Sequence, residues 1–361
     1  MSEGVSTASE SAREELDRHL ASSKAPGIQY VAVDSGRIVF EYVGGWADLG
    51  RGAPMGSTTT MMAYSMSKTL TAVAVLQLVA AERVRLDAPV VEYVASMPYG
   101  PAVTVRQLLA HTSGAPSPIP LRWVHLADRH AAFDESAALA TVLRGHPRLA
   151  FPPGSRYAYS NIGYWLLGRV VEQASGEPFT TYVESHVLRP LGATPSELSY
   201  AIPDPALHAA GYLARYSFMN LAKGFLIDRD LVGEYDGRWL SIRSHYVNGP
   251  AFGGLVGSAR GFGRFLQDQL ASRSRLVGEG VRGLLYEPQR VARGTAVPMT
   301  LGWHVGDLGG IRFFYKEGGG GGFHSLMRLY PEPGLATVVM ANATAFDVRK
   351  ALDATDARFV R

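Results

Sequence analysis

The sequence predicts an α+β fold in which a helical lobe is inserted into a lobe built around an antiparallel sheet. Strand-like patterns occur towards both ends of the chain, whereas the patterns between residues 86 and 249 are mainly helical. A chain of 361 residues is long enough to bury two cores. We therefore expect residues 1–85 and 250–361 to form one discontinuous α/β lobe with helices flanking the sheet, residues 86–249 to form the second lobe, and the functional site to lie between them.

The N-terminal elements follow from local patterning. Residues 11–20 form an amphipathic helical pattern, and β-branched and aromatic runs at 27–33 and 37–45 flank a turn at 34–36, which is typical of a β-hairpin. The twenty residues from Ser65 contain neither proline nor glycine and are apolar nearly all round. This composition predicts a buried helix rather than a surface helix.

The later elements are predicted from the same kinds of pattern. Further helical patterns occupy residues 103–111, 134–145, 161–176 and 258–272, and strand patterns occupy residues 299–306, 311–317, 323–331 and 335–343.

Composition and charge argue against several classes of function. The formal net charge is +3 and the basic residues are scattered, so nucleic-acid binding has no support. The absence of cysteine excludes disulfides and a thiolate nucleophile. The ten histidines show no metal-ligand spacing, and His125 and His130 would fall on different faces of a helix. We expect neither a metal nor a cofactor.

The N-terminal 25 residues contain no apolar segment of the kind found in a secretory signal, and no stretch approaches the roughly 20 apolar residues of a membrane span. These observations predict a cytoplasmic protein with a small-molecule partner and no membrane or nucleic-acid partner. The oligomeric state stays open.

The first chemical pattern is S-x-x-K, formed by Ser65 and Lys68 at the start of the buried helix. A spacing of three residues places both side chains on one helical face. A lysine in a desolvated pocket has a lowered pKa and can take the proton of a serine hydroxyl. Ser67 is a neighbouring alternative, but it faces elsewhere. Alternatively, Ser65 is only a helix cap.

Two further patterns complete the set. Tyr159, followed by serine and Asn161, opens a helical pattern, and a tyrosine near a lysine cation can act as general base and then as general acid. Asn161 can orient Lys68 or a substrate carbonyl, or simply cap the helix. Lys316 and Glu317 precede five glycines at the end of a strand pattern, where a substrate can approach the backbone closely, unless the glycines form only a hairpin tip.

The order and spacing of S-x-x-K, Y-S-N and K-x-G resemble the serine β-lactamase superfamily, in particular its branch of class C β-lactamases, DD-peptidases and family VIII carboxylesterases. The resemblance covers about residues 9–345. Its framework segments are LLAHTSG (108–114), FPPGSRYAYSNIGYWLLGRVVEQASG (151–176), RPLGA (189–193), GGLVGSARGFGRFL (253–266) and GGGFHSLMRLYPE (320–332). It implies a β-lactamase/transpeptidase-like fold.

The resemblance also implies roles for individual residues. It makes Ser65 the nucleophile, Lys68 and Tyr159 the activating pair, and Asn161 a substrate contact. The K-x-G element supplies the remaining contacts, which are Lys316, Gly318 and Gly319, the last through an amide that completes an oxyanion hole with the amide of Ser65.

One position departs from the family pattern, because Glu317 occupies the place of the threonine in K-T-G. A carboxylate there is expected to repel a substrate carboxylate that Lys316 would otherwise attract. The sequence thus favours a carboxylesterase for short neutral esters. The alternatives are a β-lactamase, DD-peptidase or linear-amide hydrolase, and a lactamase-like binding protein without turnover.

Overall fold

The computed structural model describes residues 3–22, 24–118 and 122–360. Its strands are β1 (Gly27–Val33), β2 (Ile38–Asp48), β3 (Ala53–Pro54), β4 (Met61–Met62), β5 (Val124–Leu126), β6 (Leu198–Ser199), β7 (Gly211–Ala214), β8 (Val232–Asp236), β9 (Trp239–Ile242), β10 (His245–Val247), β11 (Val256–Gly257), β12 (His304–Leu308), β13 (Ile311–Gly319), β14 (His324–Tyr330) and β15 (Leu335–Ala341).

The helices are α1 (Glu3–Ala21), α2 (Ser67–Ala80), α3 (Val105–Leu109), α4 (Glu135–Gly145), α5 (Asn161–Ser175), α6 (Phe179–Val183), α7 (Phe218–Leu221), α8 (Lys223–Leu226), α9 (Pro250–Gly253), α10 (Ala259–Leu270), α11 (Glu279–Tyr286) and α12 (Val348–Asp356). A short 3₁₀ turn, Tyr64–Met66, leads into α2.

The main sheet joins the two ends of the chain. Within the described residues it has seven strands in the order β12-β13-β14-β15-β1-β2-β3, and every neighbouring pair is antiparallel. The central pairing places Ile28 opposite Ala341 and Val33 opposite Ala336. The predicted strands at the two ends of the sequence therefore do meet in one sheet.

Both faces of this sheet are covered, and strand alternation divides the side chains between them. On β1, Ile28 and Tyr30 pack with Leu16 of α1 and Leu352 of α12. Val31 and Val33, whose side chains point to the other face, belong to a second, larger core that includes residues of α2 and α10. This layering of helix, sheet and helix explains why the central strands are almost uninterruptedly apolar.

Helix α2 is the element that positions the site. Nearly all of its side chains are buried, as the composition predicts, and they belong to the same core as α5 and α10. Its first turn lies close to the end of β13, where residues of the strand pack against the turn that carries Ser65. The S-x-x-K and K-x-G segments are therefore brought together by the packing of α2 against the sheet.

Some predicted elements need correction. The strand expected over residues 299–306 begins only at His304, because the chain turns at Gly302 with a φ of 102°. The buried helix expected over the twenty residues from Ser65 is shorter, because it spans only Ser67–Ala80. The expectation of a mainly helical middle lobe missed the three-stranded sheet β7-β9-β8, and the C-terminal helix α12 was not predicted. The division into two lobes stays a prediction.

Candidate active site

Ser65 lies in the 3₁₀ turn immediately before α2, at the wall of an apolar pocket. It does not cap the helix, because no side-chain cap is found at the start of α2. The neighbouring Ser67 is fully buried, and its hydroxyl donates to the carbonyl of Tyr64 and accepts from the amide of Leu255. Ser67 thus has a structural role, and Ser65 is the serine that faces the pocket.

Lys68 is fully buried one helical turn after Ser65. Its Nζ lies 2.9 Å from Ser65 Oγ, 2.8 Å from Asn161 Oδ1 and 2.6 Å from the carbonyl oxygen of Phe252. The two carbonyl oxygens can only accept hydrogen bonds. In this geometry an ammonium group donates to all three oxygens, whereas a neutral amine donates to the two carbonyl oxygens and can accept the proton of the Ser65 hydroxyl.

Tyr159 approaches Ser65 from the other side. Its hydroxyl lies 2.7 Å from Ser65 Oγ, and it is held at this point because Ser160 caps α5 by accepting from the amide of Gly163. Asn161 is therefore the first residue of α5 rather than its cap, and its amide oxygen reaches Lys68. The structure thus brings together four of the residues that the sequence singled out.

Burial shifts the pKa values of the titratable side chains around Ser65. Burial lowers the pKa of Lys68 well below its ordinary value, and the nearby Lys316 lowers it further. Burial also lowers the pKa of Lys316 to about 7 and raises that of Tyr159. A neutral Lys68 beside a protonated Tyr159 agrees with the hydrogen-bond pattern, since Ser65 can then donate to the amine and accept from the phenol.

The glycine-rich end of β13 packs closely against the turn that carries Ser65. A Cβ on Gly318 would lie 2.0 Å from the carbonyl oxygen of Ala63, and a Cβ on Gly320 would lie 2.4 Å from the ring of Tyr64. Side chains at these positions would push the strand away. The glycines are therefore required for close packing, and Gly319 lines the pocket beside Ser65.

Lys316 reaches the site from behind Tyr159. Its side chain is fully buried, and its Nζ lies 5.3 Å from the centre of the Tyr159 ring and 5.6 Å from that of Tyr164. In the described residues this nitrogen has no hydrogen-bond partner. The expected contact between Lys316 and substrate stays a prediction, as does the oxyanion role of the Gly319 amide.

The carboxylate of Glu317, which was expected to repel a substrate carboxylate, forms two ion pairs in the structure. Its carboxylate accepts from Arg349 Nε at 2.7 Å and contacts His324 Nε2 at 2.9 Å. These interactions lower its pKa, although burial acts in the opposite direction. Successive residues of a strand point to opposite faces, so Glu317 turns away from Lys316 towards α12 and its charge is balanced there.

The pocket beside Ser65 has a volume of about 60 Å³. Its described lining contains no aspartate, glutamate, lysine or arginine. The lining residues are Tyr64, Ser65, Trp123, Val124, Ile227, Leu231, Ile242, His245, Val247, Phe252, Gly253, Gly319, Gly320 and Gly321. The arrangement can accept a short uncharged group next to the serine.

The segments 115–130 and 200–250 contain several aromatic residues, and of these Trp123 lines the pocket. Tyr216 and Phe218 are largely exposed, while Tyr212 and Trp239 pack in the core against each other. The side chain of Phe225 lies outside the described part of the structure.

Several site residues were missed by the sequence reasoning. Phe252 supplies a carbonyl to Lys68, and the ring of the buried His111 lies 4.3 Å from that of Tyr159. Burial lowers the pKa of His111 well below its ordinary value, so it adds no positive charge beside Lys68. The segment LLAHTSG pointed to His111, but nothing local indicated Phe252 or the pocket residue His245.

His125 and His130 do not diverge as expected, because they lie in β5 and the following 3₁₀ turn and their ring nitrogens are 2.9 Å apart. His125 also contacts Asn248 Oδ1. Over the described ranges, no group of three histidine, aspartate or glutamate side chains is arranged to hold a metal ion.

This fold and serine site define the class of protein. The family model described as Beta-lactamase matches residues 12–360, and the chain belongs to that family of serine hydrolases.

The relatives of this chain include an esterase and a D-aminopeptidase. The chain is 33% identical over 189 residues to esterase EstB of Burkholderia gladioli, an alignment that covers 49% of this chain and 48% of the relative. It is 29% identical over 192 residues to the D-aminopeptidase of Cereibacter sphaeroides strain ATCC 17023, which covers 52% of this chain and 36% of the relative. The alignments therefore span less than half of these relatives.

A solved structure shows the same fold over nearly the whole chain. The D-amino acid amidase from Ochrobactrum anthropi SV3, in complex with D-phenylalanine, superimposes with a TM-score of 0.81 at 20% identity and covers 97% of this chain and 98% of its own. The β-lactamase/transpeptidase-like fold expected from the sequence is thus confirmed. Among the helices of the described residues, none is both long enough and apolar enough to span a membrane.

Proposed function

We propose that this protein is a carboxylesterase that forms an acyl-enzyme on Ser65 with short, uncharged acyl groups. The observation that carries the proposal is the position of Ser65 Oγ, which lies between Lys68 Nζ and Tyr159 OH at the wall of an apolar pocket. A serine hydroxyl becomes a nucleophile when a positioned base removes its proton. Lys68 is that base in this proposal.

Acylation begins when Ser65 Oγ attacks the carbonyl carbon of the ester and its proton passes to the lone pair of Lys68. The resulting oxyanion is held by the amide groups of Ser65 and Gly319. The bond to the alkoxy oxygen then breaks, and this oxygen takes the hydroxyl proton of Tyr159. The proton that Lys68 gained then passes to the phenolate of Tyr159 and restores the phenol.

Deacylation repeats the sequence with water as the nucleophile. The pair formed by Lys68 and Tyr159 accepts one proton from the water as the water attacks the acyl carbon. That proton passes to Ser65 Oγ as the bond between the acyl carbon and Ser65 breaks. The free serine and the carboxylic acid product complete the balance. Asn161 and the carbonyl of Phe252 keep the amine of Lys68 directed at Ser65 in both halves.

The pocket favours neutral acyl groups over charged ones. An amino-acid amide carries an ammonium group, and burying it requires a carboxylate or other compensating partner. The described lining supplies no such carboxylate. The volume of about 60 Å³ compares with about 10–15 Å³ for one water molecule, which suits a short acyl chain.

The substrate class is tested by measuring kcat/KM side by side on p-nitrophenyl esters of increasing acyl length, on a D-amino-acid p-nitroanilide and on nitrocefin. We expect the short esters to be hydrolysed fastest, with a decrease once the acyl chain exceeds the pocket. Hydrolysis of nitrocefin at the rate of p-nitrophenyl butyrate would replace the esterase proposal by the β-lactamase alternative, and a preference for the anilide would favour an amide hydrolase.

The pH dependence follows from the lowered pKa of Lys68. Because the neutral amine is the active form, kcat/KM rises with pH while Lys68 loses its proton. Burial and Lys316 lower this pKa, so we expect the rise to be complete well below the ordinary lysine pKa of about 10.4, with no further rise near that value. Initial rates on p-nitrophenyl butyrate, read at the isosbestic wavelength of nitrophenol, provide the profile. A rise that continues to pH 10 contradicts a buried lysine base.

The Glu317 side chain offers a test of charge selection. Replacing Glu317 with threonine leaves Arg349 and His324 without their carboxylate partner, in a strand that also carries Gly319. We expect the ratio of kcat/KM for nitrocefin, an anion, to that for p-nitrophenyl butyrate to rise about tenfold. The new cationic charge, rather than relief from a free carboxylate, is the physical reason.

The matched control is Glu332→Thr. This exposed glutamate lies in the turn between β14 and β15, at the end of the hairpin opposite Gly319. It undergoes the same change of charge without freeing Arg349. If the ratio of nitrocefin to p-nitrophenyl butyrate activity is unchanged in Glu317→Thr, or rises equally in both variants, the freed Arg349 and His324 are not the cause of anion selection.

A further inference from the structure

Tyr64 connects the serine-bearing turn to the glycine segment opposite. It precedes Ser65 and has a φ of 46°, which is a left-handed conformation that a residue with a large side chain adopts only when its surroundings impose it. Its hydroxyl donates to the carbonyl of Gly321 at 2.9 Å, and its ring is the surface against which Gly320 packs. The same side chain therefore contacts two consecutive residues that follow Gly319.

His245 holds the hydroxyl of Tyr64 from the other side. It is buried on β10, and its Nε2 lies 2.9 Å from the Tyr64 hydroxyl. Its Nδ1 lies 2.9 Å from the carbonyl oxygen of Arg243, which can only accept, so Nδ1 carries a hydrogen. In the neutral ring Nε2 can then only accept, so the single hydrogen of the Tyr64 hydroxyl is shared between Nε2 and the carbonyl oxygen of Gly321.

These contacts tie three walls of the pocket to one side chain. Tyr64 belongs to the turn before α2, Gly321 to the segment after β13, and His245 to β10. All three residues line the pocket. A shift of the glycine segment away from the turn that carries Ser65 must stretch or break the bond between Tyr64 and Gly321.

We propose that Tyr64 and His245 are positioning residues for acylation, which hold the Gly319 amide at the oxyanion by fixing residues 319–321 against the turn that carries Ser65. This inference rests on the proposed function. An oxyanion-hole amide acts mainly in the transition state, so its misplacement lowers kcat more than it changes KM. Neither side chain needs to touch the reacting atoms.

The test compares Tyr64→Phe, His245→Leu and the double variant on p-nitrophenyl butyrate. Tyr64→Phe keeps the ring beside Gly320 and removes only the hydroxyl. We expect kcat to fall by about 10- to 100-fold in each single variant, with KM changed by less than about threefold. The double variant is expected to lose no more than the worse single variant, because both changes break the same connection.

Conservative replacement and a matched control separate positioning from general loss of structure. His245→Gln retains a side-chain amide whose oxygen can accept from the Tyr64 hydroxyl, as Nε2 does, so we expect it to recover most of the kcat that His245→Leu loses. Tyr200→Phe removes another buried tyrosine hydroxyl, one without a hydrogen-bond partner in the described residues, and it is expected to keep the wild-type kcat. Thermal midpoints are recorded for every variant.

A wild-type kcat in Tyr64→Phe overturns the inference, and so do losses that add in log kcat in the double variant. Ser65→Ala is assayed in parallel to separate this result from a failure of the proposed function. If Ser65→Ala is inactive while Tyr64→Phe is fully active, only the positioning role fails. If Ser65→Ala is fully active, the nucleophile assignment fails and the positioning role fails with it.

Discussion

Ser65→Ala is expected to reduce ester hydrolysis by about a thousandfold or more while leaving the fold intact. The hydroxyl of Ser65 contacts Lys68 and Tyr159, and the proposed chemistry depends on it. Its removal leaves no nucleophile between the base and the pocket. The measurement is kcat/KM on p-nitrophenyl butyrate together with a thermal unfolding curve.

Ser67→Ala is the control for this change, because it also removes a serine hydroxyl, two residues further along the chain. The Ser67 hydroxyl bonds to the backbone of Tyr64 and Leu255, so its loss is expected to lower the thermal midpoint. Catalysis should fall by no more than about tenfold in this variant, since the proposed nucleophile is retained. The reverse order of effects, with Ser67→Ala inactive and Ser65→Ala active, contradicts the assignment.

Lys68→Ala, Tyr159→Phe and the double variant are expected to lose similar amounts of activity, about a thousandfold each. Both side chains contact the oxygen of Ser65, and in the proposed mechanism a proton taken by one is returned through the other. Removing either therefore interrupts the same path. The loss is measured as kcat/KM on p-nitrophenyl butyrate, with circular dichroism to check the fold.

Additivity is the outcome that contradicts this prediction. If the double variant loses the sum of the two single losses in log kcat/KM, the side chains act independently and the shared proton path is wrong. Tyr157→Phe is a suitable control, because it removes a tyrosine hydroxyl two residues from Tyr159 that contacts His304 rather than Ser65. We expect it to lose far less activity than Tyr159→Phe.

Local patterns in the sequence predicted the parts of the site that depend on short spacing. Ser65 and Lys68 are three residues apart, and that spacing alone places them on one helical face. Tyr159 is 94 residues from Ser65, and the two were connected only through the resemblance to a family. The alternating and continuous apolar runs of β1, β14 and β15 were also sufficient to predict those strands.

The remaining features depend on contacts between distant segments. His245 is 181 residues from Tyr64, and neither pattern nor composition places them together. The balanced charge of Glu317 depends on Arg349, which belongs to the unpredicted helix α12. The short strands β7, β9 and β10 were missed because three or four residues of apolar sequence fit a helix as well as a strand.

The central claim is that an acyl-enzyme forms on Ser65, and intact-protein mass spectrometry tests it most directly. The protein is mixed with excess p-nitrophenyl butyrate, quenched with acid during turnover, and digested to locate any adduct. We predict a mass increase of one butyryl group on the peptide that contains Ser65, and no increase in Ser65→Ala. Rapid turnover with an adduct on a different residue, or the same adduct in Ser65→Ala, contradicts the account.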